Sequence, residues 1–216
     1  MALSKVDFNN INVTPAASKK LKFNSSANGF ETGDVGGSMA LISTTTISSG
    51  TSTVSITSGI NSTYKEYIFK LIDIHPANDT VNLQINASVD GGSNYNVTKT
   101  TVFFLAYHTE DDSATSLAYY TGRDLAQSTS AQQIVTIGNA NDDSASGTIH
   151  LFDPSNTTFV KHFISRQAAP TGEDTENCKD TFATGYFNTT SAIDAIQFSM
   201  SSGNIDAGTI KMYGVS

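Results

Sequence analysis

Apolar and polar residues alternate without a break over residues 81–90: Val81, Leu83, Ile85, Ala87 and Val89 on one parity, Asn82, Gln84, Asn86, Ser88 and Asp90 on the other. Successive side chains of a strand point to opposite faces, so this pattern predicts a strand with one core face and one polar face. Residues 39–47 and 51–57 are rich in β-branched side chains and are separated by Ser48-Ser49-Gly50, a hairpin signal. Residues 64–74 carry Tyr67, Phe69 and Leu71 on one parity and Ile68, Ile72 and Ile74 on the other, which predicts a strand buried on both faces at the centre of a sandwich. Residues 97–107, ending in Val102-Phe103-Phe104-Leu105-Ala106-Tyr107, carry the same expectation. His75-Pro76-Ala77-Asn78-Asp79 and Asp90-Gly91-Gly92 supply turn chemistry between these segments.

Further strands are predicted at 132–137, 147–152, 159–166, 181–187, 193–200 and 208–215. Residues 108–130 form the longest irregular insertion, with one short helical turn near 123–126. Nowhere does an apolar helical stripe persist for three turns, which disfavours the α/β nucleotide-binding folds. Residues 1–38 contain isolated apolar residues and the punctuating Gly29, Gly33, Gly36 and Gly37, with no sustained period. The expected architecture is all-β: an antiparallel, jelly-roll-like β-sandwich of about ten strands in one domain, 39–216, preceded by an extended N-terminal arm, 1–38.

Composition agrees with short strands and many turns. Of the 216 residues, 38% are apolar and only 15% charged, while 12 Phe and 8 Tyr suffice to anchor a core. The net charge of −8 argues against nucleic-acid binding, which demands a basic face. That charge is unevenly placed, because Lys5, Lys19, Lys20 and Lys22 face Asp7 alone in the first 22 residues. A basic arm carrying Phe8, Lys19, Lys20, Lys22, Phe23 and Phe30 is the candidate partner-binding segment, suited to an acidic partner such as another subunit; a solvated terminus is the plainer alternative. Cys178 is the sole cysteine, so neither an intrachain disulfide nor a thiolate metal cluster can form. The first ten residues lack a signal-peptide core and no apolar run is long enough to cross a bilayer as a helix, so synthesis in a cytoplasm is expected. Eight Asn-x-Ser/Thr triplets follow from the abundance of Ser and Thr.

Catalytic signatures are sparse. There is no Gly-Lys pair for a phosphate-binding loop, no Gly-x-Ser-x-Gly elbow and no His-Glu-x-x-His. The histidines are 75, 108, 150 and 162. A pivot at Asn156 would set His150 opposite His162, close enough to share a metal; a two-residue turn at Ser155-Asn156 would instead pair Ile149 with His162. The runs Glu110-Asp111-Asp112, Asn141-Asp142-Asp143 and Glu173-Asp174-x-Glu176 could offer oxygen ligands but lack the spacing of a calcium loop. With Trp absent, Tyr64, Tyr95, Tyr107, Tyr119, Tyr120 and Tyr186 are the aromatics available to stack on a sugar. No catalytic residue, cofactor or metal is expected.

Several stretches resemble a virion structural protein family of marine tailed phages: Tyr64-Lys-Glu-Tyr-Ile-Phe69 running into Ile74-His-Pro-Ala-Asn-Asp79, Ser88-Val-Asp-Gly-Gly-Ser-Asn-Tyr95, and Asp124-Leu-Ala-Gln127. Others are Leu151-Phe-Asp-Pro-Ser-Asn-Thr-Thr158 with Val160-Lys-His-Phe163, Gly185-Tyr-Phe-Asn-Thr-Thr190, and Ile196-Gln-Phe-Ser-Met-Ser-Ser-Gly-Asn204 through Ile210-Lys-Met-Tyr-Gly214. The resemblance spans most of the chain after residue 60. It implies a particle component and carries over no functional residue. The resulting expectation is a non-enzymatic virion protein, a capsid decoration or cement protein whose partners are the major capsid protein and itself, as a homotrimer. The alternative is a tail-fibre or tail-tip adhesin whose loops 108–130 and 167–180 bind a host surface glycan. Neither nucleic acid nor membrane is expected as a partner.

Overall fold

The computed structural model describes residues 19–34, 38–171 and 177–216, and among these there are fourteen strands and no α-helix. They are β1 Lys19–Phe23, β2 Phe30–Asp34, β3 Met39–Ile47, β4 Thr53–Ile56, β5 Glu66–Pro76, β6 Val81–Ser88 and β7 Lys99–Thr109, followed by β8 Thr115–Tyr119, β9 Gln132–Ile137, β10 Ala145–Phe152, β11 Lys161–Thr171, β12 Asn177–Phe187, β13 Ala195–Met200 and β14 Ile205–Val215. The expected ten becomes fourteen partly because β1, β2 and β8 lie where no alternation marks a strand. β8 reads Thr-Ser-Leu-Ala-Tyr at a sheet edge, where half-exposed residues carry little hydrophobic signal. The short helical turn falls at Thr121–Arg123, slightly before the expected position, and is a 3₁₀ turn.

An eight-stranded sheet runs in the order β3-β14-β5-β10-β11-β12-β7-β8, and a four-stranded sheet in the order β4-β13-β6-β9. Setting aside β7, β8, β11 and β12, the eight other strands of these sheets, counted along the chain, pair as first-eighth-third-sixth in one sheet and second-seventh-fourth-fifth in the other. That arrangement is a double Greek key, the jelly roll. The hairpins β7–β8 and β11–β12 are insertions into it, and both extend the larger sheet on the same side. As a result the eight-stranded sheet is twice as wide as the sheet that faces it.

The facing sheets bury one core. Tyr67, Phe69 and Leu71 of β5, Phe103 and Leu105 of β7 and Phe163 of β11 project from the large sheet, and Leu83, Ile85 and Phe198 from the small one. Phe69 and Phe198 meet edge to face with ring centroids 5.8 Å apart. Each such side chain contributes about 1.5–3 kcal/mol through its removal from water. Polar contacts also cross the sandwich where β9 passes over the inserted strands: Thr181 donates to the Ile134 carbonyl at 2.8 Å and Thr101 to Gln132 at 2.5 Å. In β14 the register shifts on either side of Ala207, and Gly208 adopts φ +131, a bulge that brings its backbone against Ile74.

Two-sided burial of 64–74 and 97–107 is not observed. Tyr67, Phe69 and Leu71 are buried, but Ile72 is 36% exposed and Val102 39% exposed. Among the described residues of 41–216, one sheet packs on the large sheet, and the apolar outer residues of the large sheet meet no second layer there.

Residues 1–40 make a separate unit. Within it, residues 19–34 of the expected arm form an antiparallel hairpin, with Lys19 opposite Asp34 and Phe23 opposite Phe30. The Asn24–Gly29 turn closes it by main-chain bonds and by Asn24 bonding to Asn28. Side-chain bonding within the turn, rather than hydrophobic period, is what folds this segment back.

Candidate functional site

The candidate partner-binding residues fall on this hairpin, apart from Phe8, which lies outside the described residues. Lys19, Lys20 and Lys22 lie on β1, and Lys22 pairs with Glu31 at 3.0 Å. Phe23 and Phe30 stack at 4.9 Å while 66% and 47% exposed. An exposed aromatic pair flanked by lysines can grip a partner, but its own geometry assigns no ligand.

The histidines do not come together. β10 and β11 pair with His150 opposite Ile164 and Leu151 opposite Phe163, so neither register weighed for a tight turn occurs. The connection is longer than either, and an Asx turn built on Asn156, whose side chain accepts from the backbone of Thr158 and Phe159, takes up the extra residues. His150 instead meets Glu66 of the neighbouring strand at 2.5 Å, and His108 meets Asp112 at 2.9 Å. Among the described residues no group of three or more His, Cys, Asp or Glu could hold a metal ion. The acidic run 110–112 forms the β7–β8 turn, where hydrogen bonding from Ser113, first its side chain and then its backbone, lowers the Asp111 pKa from the ordinary carboxylate value. Asp143 is buried and accepts from Ala140. Glu173, Asp174 and Glu176 lie outside the described residues.

Two buried lysines escape sequence reasoning altogether. Lys161 and Lys99 flank Phe187 on adjacent strands, both with no exposed surface. Lys99 donates to the Ser130 carbonyl at 2.6 Å and Lys161 to that of Thr189 at 3.1 Å, tying two loops to the sheet. Burial pulls the Lys99 ammonium down to about 8 and lowers that of Lys161, where the Asp153 charge opposes it.

Two surfaces of the sandwich have the character of binding sites. The first is the outer face of the eight-stranded sheet. Its cross-strand rows bring Ile68, His150 and Ile164 side by side, with Thr148, Arg166, Phe182, Phe104 and Tyr119 alongside. Phe104 and Phe182 stack almost parallel at 4.8 Å, and Arg166 lies over Phe182 while forking onto Asp180 at 2.6 and 3.0 Å. Leu117 is 76% and Ile164 46% exposed. Contiguous apolar area rimmed by charge marks an interaction face.

The second is a cavity of about 400 Å³ at the far end of the large sheet, where the inserted strands extend beyond β9. Lys179 of β12 lies opposite Tyr107 of β7, and Asn177 opposite Thr109, so four polar side chains line up on the inner face. The 120–123 turn roofs them with Tyr120 and Arg123. The Arg123 guanidinium lies 5.1 Å from the Phe103 ring centre and 5.9 Å from that of Tyr120, and it donates to Thr136 at 2.7 Å. Thr136 in turn donates to Asn82 at 2.9 Å. Of the six candidate tyrosines, only Tyr107 and Tyr120 are brought together here. Arg123 and Lys179 are more than fifty positions apart in the chain, and only the β7–β12 pairing unites their surroundings.

Comparison of the chain with protein-family models, with curated proteins and with solved structures found no match.

Proposed function

We propose that this chain is a non-enzymatic virion structural protein, a capsid decoration or cement protein that seats on the outer shell and bridges neighbouring capsid subunits. The outer face of the eight-stranded sheet carries this reading. A wide, hydrogen-bonded sheet loses little entropy on docking, and its exposed Leu117, Ile164, Val102 and Ile72 provide apolar area between charged groups. The virion setting comes from the sequence resemblance to phage particle proteins. Repetition on a symmetric shell makes individually weak contacts cumulative, and self-association as a trimer fits the same setting.

Binding of purified protein to expanded shells tests the reading. The wild-type chain is expected to co-sediment with shells and to raise their resistance to heat, whereas Leu117→Asp with Ile164→Asp, both at exposed positions, folds but does not bind. Particles that withstand heat equally with and without the protein would defeat it.

The cavity favours a second reading, a tail-associated adhesin that binds a host glycan. It is lined by residues of both segments that the sequence marks as recognition loops, 108–130 and 167–180. Copy number separates the two, since hundreds of copies per particle mean shell and a handful mean tail.

A further inference from the structure

We propose that Asn28-Gly29, in the turn that closes the β1–β2 hairpin, is a site of spontaneous covalent modification: Asn28 loses ammonia and becomes aspartate or isoaspartate, which removes the hairpin's excess of positive charge.

The order of residues admits the reaction here better than elsewhere. Asn28-Gly29 is the only Asn-Gly pair in the chain. Ring closure joins the backbone nitrogen of the following residue to the carbonyl carbon of the Asn side chain, and glycine alone brings no Cβ to crowd that approach.

The fold leaves the reacting groups accessible. Residues 24–29 belong to neither strand, and Asn28 is exposed. Asn24 donates from its backbone to the Gly29 carbonyl at 2.9 Å. The Asn24 carbonyl, which a continued ladder would offer to the Gly29 N–H, accepts instead from Ala27 at 3.0 Å. The Gly29 N–H therefore donates to none of the described residues, and solvent base can take its proton.

The turn also holds the side chain that is attacked. The Asn28 backbone donates to Asn24 Oδ1 at 3.1 Å, which fixes the orientation of the Asn24 amide and aims Nδ2 at Asn28 Oδ1, 2.9 Å away. A donor on Oδ1 polarises this carbonyl and stabilises the negative charge that gathers on it during attack. A Cβ on Gly29 would stand 3.3 Å from Asn24 Nδ2, so a side chain at 29 would press on the very amide that holds Asn28.

Water and hydroxide are the only co-reactants. The Gly29 nitrogen, having given its proton to hydroxide, forms a bond to Asn28 Cγ; the Cγ–Nδ2 bond breaks and the amide nitrogen leaves as ammonia, which closes a succinimide ring. Water then opens the ring at Cγ to give aspartate, or at the backbone carbonyl to give isoaspartate, whose main chain runs through Cβ and Cγ. Either product adds one negative charge. Lys19, Lys20 and Lys22 against Glu31 and Asp34 give residues 19–34 a net charge of +1, and this falls to zero. Isoaspartate also lengthens the backbone inside a turn held by two Asn24–Asn28 bonds, loosening the loop that stacks Phe23 on Phe30. The segment singled out for partner binding thus loses its pull on an acidic partner as the protein ages.

Peptide mapping by mass spectrometry, on the full chain kept warm for days at a series of mildly alkaline pH values, tests this. The peptide bearing Asn28 is expected to gain the mass of an amide exchanged for an acid, to become a substrate for isoaspartyl methyltransferase, and to convert faster as pH rises. On an anion-exchange column the aged protein should develop a second species retained like Asn28→Asp. Gly29→Ala should slow the conversion by about tenfold or more, whereas Gly122→Ala, at a glycine with open space around it, should leave it unchanged. Conversion at Asn28 no faster than at the other asparagines would overturn the proposal. So would conversion more than about tenfold slower in the folded chain than in the same chain held in urea, because the turn would then shield the site.

Discussion

Replacing Lys99 with Met isolates the cost of an ammonium buried in the core. Lys99 has no exposed surface, and its backbone is bonded in both directions to Ser128, at 2.9 and 3.0 Å, so the side chain cannot swing out to water. Burial moves its pKa from 10.5 to about 8. At about 1.4 kcal/mol per tenfold change in proton affinity, keeping the charge inside costs about 3 kcal/mol at neutral pH. The unfolded chain keeps this proton up to about 10.5, while the folded chain releases it near 8. Between those values the unfolded state binds more protons, so stability rises with pH across that window. Lys99→Met keeps the aliphatic stem and removes the charge, at the expense of the bond to the Ser130 carbonyl, about 1–2 kcal/mol. The variant is therefore expected to be more stable by about 1–2 kcal/mol at pH 7, and the wild type to recover up to about 3 kcal/mol relative to it by about pH 10. Urea unfolding at a series of pH values, followed by circular dichroism, measures this difference. Other alkaline groups, such as Lys161, titrate in both proteins and largely cancel. Parallel stability curves for the two proteins would refute the reasoning.

Three further outcomes follow from other parts of the fold. Asp90 accepts from the Ser88 hydroxyl and from the backbone and side chain of Asn94, chiefly the Asn94 side chain, which holds its pKa at about 2 against a usual 3.8. Its contribution is present above about pH 4 and lost as pH falls towards 2, so Asp90→Asn should flatten acid unfolding in this interval, as followed by circular dichroism. Gly208→Ala forces a side chain onto a backbone at φ +131 and to within 2.7 Å of the Ile74 side chain, and should lower stability by about 1–3 kcal/mol in urea unfolding. Phe69→Ala empties a fully buried site that touches Phe198 across the sandwich, for which calorimetry should report a loss of about 3–5 kcal/mol.

Alternation of apolar and polar side chains, read along the chain alone, determined the all-β class and most strand positions. Residues 81–88 of the alternating run became β6 with Val81, Leu83, Ile85 and Ala87 buried, because a strand facing one core leaves its period-two mark in the order of residues, whereas Val89, past the end of the strand, is 39% exposed. Where that mark is weak, at the edge strand β8 or in the hairpin closed by Asn24, strands formed without announcing themselves. The sequence also could not say whether Ile68 and Val102 lie under a second layer, since apolar residues on both parities describe a buried strand and an uncovered apolar face equally well. Tertiary structure decided that: among the described residues of 41–216, a four-stranded sheet packs against one side of an eight-stranded one. It likewise decided the candidate site. The cavity's cations come from a turn at 123 and a strand at 179, and the pairing of β12 with β7 that sets Lys179 beside Tyr107 is a contact between residues far apart in the chain. Period and composition report what each residue's own segment needs, whereas a binding site depends on which distant segments share a hydrogen-bond ladder.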